Sequence, residues 1–354
     1  MVSIQDFCCH IQPIDGELLK LAQRRLDRLT KPPGSLGRLE ELAASYVAIT
    51  GTLKPQVPRG VVFTLAADHG VTVEGVSAYP KEVTPQMVRN FLGGGAAVNV
   101  LARHVGVEVR VVDIGVDHEW GAMPGLLNRM IMKGTRNFVC EPAMTREQAE
   151  RAVLTGIELA MDAGREGIGL IGVGEMGIGN TTPSAAITAV MTGKPVEQVT
   201  GHGTGLDEAG RARKVAVIQR ALDLHRPDRT DPLDVLAKVG GLEIGGLAGI
   251  ILGASSVRVP VVLDGFITGA AALIAVALAP ACRDYLIASH QSVERGHRVI
   301  LEHLGLQPLL DLHLRLGEGT GACLGMGLVG AAIKIYTEMA TFDEAGVSDR
   351  SSAG

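Results

Sequence analysis

Aromatic residues are scarce in this chain, 3% of 354 residues with a single tryptophan. That scarcity removes the usual platform for stacking the bases of a nucleic-acid strand. No basic surplus takes its place: the formal net charge is −5 and the lysines and arginines are scattered, so nucleic acid is not an expected partner. Cysteine is also sparse. Cys8, Cys9, Cys140, Cys282 and Cys323 are odd in number and include no Cys-x-x-Cys pair, which argues against a disulfide framework or a zinc site and for free thiols in a reducing cytoplasm. The first ten residues carry Asp6 and no long apolar run, unlike a signal peptide. The sequences GxxxxGK[ST], HExxH and GxSxG do not occur, which leaves a P-loop nucleotidase, a zinc peptidase and a serine hydrolase without support. Gly93-Gly94-Gly95 lacks the spacing of a dinucleotide fingerprint and sits in a helical pattern, where it reads as close helix packing.

What the chain does have is alternation. Val61–Ala67, Val107–Val112, Gly167–Val173, Val259–Leu263 and Tyr285–Ala288 are short apolar runs of the kind buried on both faces of a parallel sheet. Stretches 84–104, 145–164, 207–224 and 292–304 between them have helical character, and Thr145 with Gln148 has the spacing of a capping box. Strand–helix alternation predicts an α/β fold with a doubly wound, mostly parallel sheet. Gly265 to Cys282 is uncharged over eighteen residues, near the minimum for a membrane span, yet it is rich in Ala and Gly and contains Pro280. It reads as a helix buried against the sheet, so no membrane is expected. Helical periodicity from Gly16 to Arg28, a Pro-Pro-Gly break at 32–34 and a last helix from about Ala322 to Met339 mark the flanks. Beyond Thr341 the tail is polar and expected to fray.

In such a fold, ligands bind beyond the carboxyl ends of the strands. The strands end at Asp68, Asp113, Glu175, Asp264 and Ser289, which predicts a polar rim. Two stretches near that rim hold a glutamate between glycines: Gly174-Glu175-Met176-Gly177 and Gly317-Glu318-Gly319. A carboxylate held in a tight turn among apolar neighbours can have its pKa raised and act as a proton acceptor. Gly201-His202-Gly203-Thr204-Gly205, followed by Lys214, suits a phosphate cradle. The same segment also reads as a glycine-rich surface turn with a solvated lysine. Asp68-His69 has no evident third partner for a metal.

Longer segments carry a resemblance. KPPGSLGRLE at 31–40, AADHGV at 66–71, YPKEVT at 79–84, GVGEMGIGNTTP at 172–183, KVGG at 238–241, VVLDGF at 261–266 and RLGEGTGA at 315–322 resemble, in order along nearly the whole chain, the nicotinate-nucleotide–dimethylbenzimidazole phosphoribosyltransferase family. The resemblance implies an α/β catalytic domain over 61–319, with a second, small helical domain formed from both chain ends, 1–60 and 320–354. It also implies a cytoplasmic homodimer. The implied reaction takes nicotinate mononucleotide and 5,6-dimethylbenzimidazole to α-ribazole 5′-phosphate and nicotinate, as in assembly of the lower ligand of cobalamin. Under it, Glu318 is the general base and Glu175 a second catalytic carboxylate. Gly177, Gly203, Lys214, Asp264, Ser289 and Arg315 would contact phosphate or ribose, and Tyr79, Met87 and Met176 the benzimidazole. The donor has no pyrophosphate, so neither a metal nor another cofactor is expected. A nucleotide- or corrinoid-precursor-binding protein on the same fold is the alternative; it would keep the phosphate loop without needing Glu318.

Overall fold

The computed structural model describes residues 3–203 and 205–348. Thr204 of the glycine-rich loop and the end of the polar tail, 349–354, lie outside the described residues. Six parallel strands form one sheet: β1 (Arg59–Ala67), β2 (Glu108–Gly115), β3 (Leu126–Asn128), β4 (Ile168–Met176), β5 (Val261–Leu263) and β6 (Leu286–Ala288). Their spatial order is β3-β2-β1-β4-β5-β6. The order reverses between β1 and β4, where Leu65 sits opposite Glu175, and a doubly wound sheet opens a crevice at such a reversal.

Strand residues point alternately to two faces. Val61, Phe63, Leu65 and Ala67 join one apolar core with helices Arg146–Arg165, Leu242–Ser256 and Phe266–Leu278. Val62 and Ala66 join a second core with Arg38–Thr50 and Thr320–Glu338. On the first face, helices Arg146–Arg165 and Leu242–Ser256 meet backbone to backbone. A Cβ on Gly156 would lie 1.9 Å from the Gly246 carbonyl oxygen, and one on Gly249 would lie 1.9 Å from that of Val153. The uncharged stretch is the buried helix Phe266–Leu278, as expected. Thr320–Glu338 has the length and mean hydropathy, 1.2, of a membrane span, and it packs on β1, β4 and β5.

Local rules explain most boundaries. Thr145 and Gln148 form the expected box, with Gln148 N–H donating to Thr145 Oγ1 at 3.1 Å and Thr145 N–H to Gln148 Oε1 at 2.8 Å. The stretch 84–104 is not one helix. It divides into Val83–Leu92 and Ala97–Val105, and Gly93-Gly94-Gly95 is the stop between them, not a packing contact within a helix. Gly94 has φ +75°, a conformation glycine adopts without penalty.

The two chain ends are stitched together. Leu29 bridges Thr341, Thr30 N–H donates to Ala340 O at 3.0 Å, and the Arg25 guanidinium donates to Tyr336 O at 2.9 Å. The loop from Lys31 to Glu40 is closed by an ion pair of 2.7 Å between those two residues, both buried, and Glu40 Oε1 also accepts from Leu36 N–H at 2.9 Å. Removing one partner of a buried pair typically costs about 3–5 kcal/mol, whereas replacing both by apolar groups can be neutral. Glu40→Leu alone should therefore lower unfolding stability by about that amount, and Lys31→Met with Glu40→Leu should recover most of it. Chemical denaturation of the three proteins checks this; equal stability of the single and double variants would contradict it.

Candidate active site

Two glycine–glutamate turns meet at the carboxyl end of β4. Gly174 packs flat on the Glu318 backbone: a Cβ there would lie 2.3 Å from Glu318 O. Gly317 returns the contact, for a Cβ on it would lie 2.4 Å from Glu175 Oε1. Gly317, Glu318 and Gly319 have φ of +82°, +66° and +101°. For Glu318, which has a Cβ, the left-handed region costs about 1–2 kcal/mol. Tertiary contacts hold it there. Thr64 Oγ1, from β1, donates to Glu318 O at 3.0 Å. Asp264, at the end of β5, accepts from the N–H groups of Gly319 (3.0 Å), Gly321 (2.7 Å) and Ala322 (3.3 Å). Its carboxylate thereby caps the start of Thr320–Glu338, where the helix dipole favours an anion.

Beside these turns is a cavity of about 90 Å³. Its lining includes Glu175, Met176, Gly177, Asn180, Thr181, Gly203, Glu294, Arg315 and Gly317. Lys214 is buried beneath, donating from Nζ to Thr181 Oγ1 and packing close to Gly203. The glycine-rich segment is therefore part of the cavity wall, and Lys214 is not a solvated residue.

The charges here are poorly solvated. Burial pushes the Glu175 carboxyl up to about 8; Glu243, Asp264 and Glu318 reinforce the shift and the hydrogen bond from Asn180 opposes it. Burial raises Asp264 to about 7 against its three backbone donors. Glu318 is likewise raised by burial, opposed by the Val98 N–H, and its Oε2 has no hydrogen-bond partner among the described residues. Lys214 moves the other way, down to about 8 through burial, with Glu294 countering. Each shift is desolvation disfavouring a charged form, and the clustered carboxyls add mutual repulsion.

Of the residues singled out in the sequence, Glu175, Met176, Gly177, Gly203 and Arg315 line the cavity, with Lys214 against it. Glu318 directly follows the lining residue Gly317, and the Val98 N–H at the start of helix Ala97–Val105 lies near its carboxyl. Met87 and Met176 pack against the same core as Val98, while Tyr79 is 53% exposed. Two expectations need correction. Asp264 is not free to bind substrate, because three backbone N–H groups occupy its carboxylate. Ser289 is fully buried and donates to Asp264 O at 3.1 Å, so it braces the clamp. Asn180, Thr181 and Glu294 were not recognised in the sequence. The first two lie in the GVGEMGIGNTTP segment, and their distance from Glu175 along the turn was the available signal.

The phosphoribosyltransferase family model matches residues 11–347. The nicotinate-nucleotide–dimethylbenzimidazole phosphoribosyltransferase of Geobacter sulfurreducens is 61% identical over 349 residues, 99% of this chain and 99% of that protein. Its counterpart in Chloroflexus aggregans is 59% identical over 344 residues, 97% and 98% of the two chains. A crystal structure of the Thermus thermophilus enzyme of the same name superposes with a TM-score of 0.89 at 52% identity, covering 95% of this chain and 100% of that one.

The raised Glu175 pKa has a consequence for stability. The folded state holds a proton that the unfolded carboxyl releases near its ordinary pKa, so this contribution is complete below that pKa and is lost as pH rises toward 8. Glu175→Gln, which never ionises, should therefore gain in melting temperature over the wild type as pH goes from 5.5 to 8. Melts across that range test this, and a constant difference would contradict the assignment.

Proposed function

This chain belongs to the nicotinate-nucleotide–dimethylbenzimidazole phosphoribosyltransferase family, and we propose that its cavity moves phosphoribose from nicotinate mononucleotide to 5,6-dimethylbenzimidazole with inversion. The products are α-ribazole 5′-phosphate and nicotinate, in assembly of the lower ligand of cobalamin. One observation supports the reading above others: a cavity lined by Glu175 and glycine backbone, with a buried lysine packed against its Gly203 wall and a second poorly solvated glutamate, Glu318, in the turn that follows its Gly317.

The chemistry follows from that polarity. Gly177, Gly203 and Lys214 receive the phosphate, and the dianion restores the charge that burial takes from Lys214. Arg315, exposed on the cavity wall, adds a second positive charge. The leaving nicotinate is bonded through a positively charged ring nitrogen and departs without a proton. Oxocarbenium character at the ribose carbon is stabilised by nearby carboxyl groups. Attack from the opposite face by the unprotonated azole nitrogen inverts the centre. The second azole nitrogen then releases its proton to Glu318, whose partnerless Oε2 and raised pKa suit a base. Met87, Met176 and the exposed Tyr79 are assigned to the benzimidazole; the flexible thioethers fit a flat apolar ring. We read residues 1–60 and 320–354 as a small helical unit around the catalytic region 61–319, working as a homodimer in the cytoplasm.

Two outcomes test the assignment. Glu318→Gln should reduce turnover by about 10²–10⁴ while leaving the KM for nicotinate mononucleotide within a few-fold, as measured by chromatography of α-ribazole 5′-phosphate. Turnover at the wild-type rate would remove Glu318 from the base role. Lys214→Met should act on the other substrate term, raising the KM for nicotinate mononucleotide by tenfold or more, on the order of a lost charge-assisted contact of ~1.5–3 kcal/mol. An unchanged KM would take the phosphate away from that end of the cavity.

A further inference from the structure

One carboxyl of the cavity lining has no part in the mechanism above. Glu294 stands just before helix Arg295–Leu304, is 7% exposed, and shares the lining with Glu175 and Gly203. Its side chain makes no capping bond to that helix, and its buried Oε2 has no hydrogen-bond partner among the described residues. Other polar side chains of the lining are engaged with protein groups. Glu175 Oε2 accepts from Asn180, Thr181 Oγ1 from Lys214, and Ser292 Oγ from the Glu294 N–H at 3.3 Å, while His290 Nδ1 lies 3.2 Å from Ser289 Oγ. A buried acceptor without a donor is costly, so an unfilled one in a cavity wall marks a place for a donor on the ligand.

The fold holds this carboxyl in one direction. A Cβ on Gly201 would lie 2.1 Å from Glu294 Oε2, so the oxygen rests on bare loop backbone. A Cβ on Gly296 would lie 2.4 Å from Phe266 Cε2 and 2.6 Å from Val199 O, which sets the first turn of the helix directly on the same loop. Ser292 N–H donates to His297 Nδ1 at 2.9 Å and closes the segment from the other side. A polar group braced in this way is suited to recognition. Two residues beyond Gly201, Gly203 packs against Lys214, where a Cβ would lie 3.2 Å from Nζ. One loop therefore carries a cation at one glycine and an unfilled acceptor at another.

A sugar phosphate matches that pairing, because its phosphate seeks a cation and its ring hydroxyls, a few bonds away, seek acceptors. In nicotinate mononucleotide the ribose hydroxyls are the only hydrogen-bond donors apart from the phosphate. We propose that Glu294 recognises the ribose diol, accepting hydrogen bonds from the 2′ and 3′ hydroxyls and making the enzyme selective for ribose over deoxyribose. This rests on the phosphoribosyl-transfer reading and adds to it the residue that reads the sugar. A site built to bond a hydroxyl rejects the analogue that lacks it, since the site's own polar group is then left unpaired.

The test compares nicotinate mononucleotide with its 2′-deoxy and 3′-deoxy analogues in the wild type and in Glu294→Ala. The quantity read is the ratio of kcat/KM for the ribose donor to that for each analogue. The intrinsic reactivity of a deoxy sugar is common to both proteins and cancels between them. For at least one analogue the ratio should be smaller in Glu294→Ala by about tenfold or more, the size of a lost hydrogen bond to a charged group. Identical ratios in the two proteins overturn the proposal, even if KM rises for all three donors alike, as it would for a carboxyl that only balanced the charge of Lys214. If Glu294→Ala does not fold, calorimetric titration of the wild type with the three nucleotides decides: one deoxy analogue binding about tenfold more weakly supports the proposal, and equal Kd values overturn it. No α-ribazole 5′-phosphate from the wild type and nicotinate mononucleotide would overturn the transfer reaction itself, and the proposal with it.

Discussion

The site depends on one contact, the backbone of Gly174 lying flat against that of Glu318 and Gly319. No side chain fits between them. The contact joins the end of β4, at the centre of the sheet, to a turn more than a hundred residues later in the chain. Asp264 then ties the second turn to β5 through three N–H groups, and Thr64 ties it to β1. Three adjacent strands thus hold one left-handed turn, and the penalty at Glu318 is small beside what surrounds it. The rigid sheet, not the mobility of the loop, fixes where the glutamates stand.

That arrangement concentrates acid where water is scarce. Glu175, Glu243, Asp264 and Glu318 are all buried, Glu175 lines the cavity, and the buried Lys214 packs against Gly203 of its wall. In water such carboxyls would ionise and repel. Here burial shifts Glu175 up to about 8 and Asp264 up to about 7, and it raises Glu318 as well. Lys214 is shifted downward by the same cause. A substrate with an anionic phosphate and a developing cation at the sugar carbon matches the charges of the site.

Much of this was legible in the sequence, because strands buried on both faces are written as unbroken apolar runs and their ends as polar pairs. The five runs found in that way correspond to β1, β2, β4, β5 and β6, and Glu175 and Gly177 stand at the predicted rim. Less legible were features decided by contact between distant segments. Leu242–Ser256 contains Gly245, Gly246, Gly249 and Gly253, a composition of weak helix propensity; it is helical because those glycines let it lie against Arg146–Arg165. β3 is three residues long and has no periodicity to display. Asp264 looked like a ligand residue because strand-end aspartates often are, and nothing local announced that Gly319, Gly321 and Ala322 would claim it. The pairing of His69 with Glu243 spans 174 positions and has no sequence signature.

The central claim is that the two glutamates converge on the reacting centre while the phosphate lies at Lys214. A crystal structure with α-ribazole 5′-phosphate and nicotinate bound tests this most directly. The account predicts the phosphate at Gly177, Gly203 and Lys214, and a Glu318 carboxylate oxygen within about 2.6–3.2 Å of the azole nitrogen not bonded to ribose. A product bound with Glu318 still directed to Val98 and out of reach of that nitrogen would contradict it.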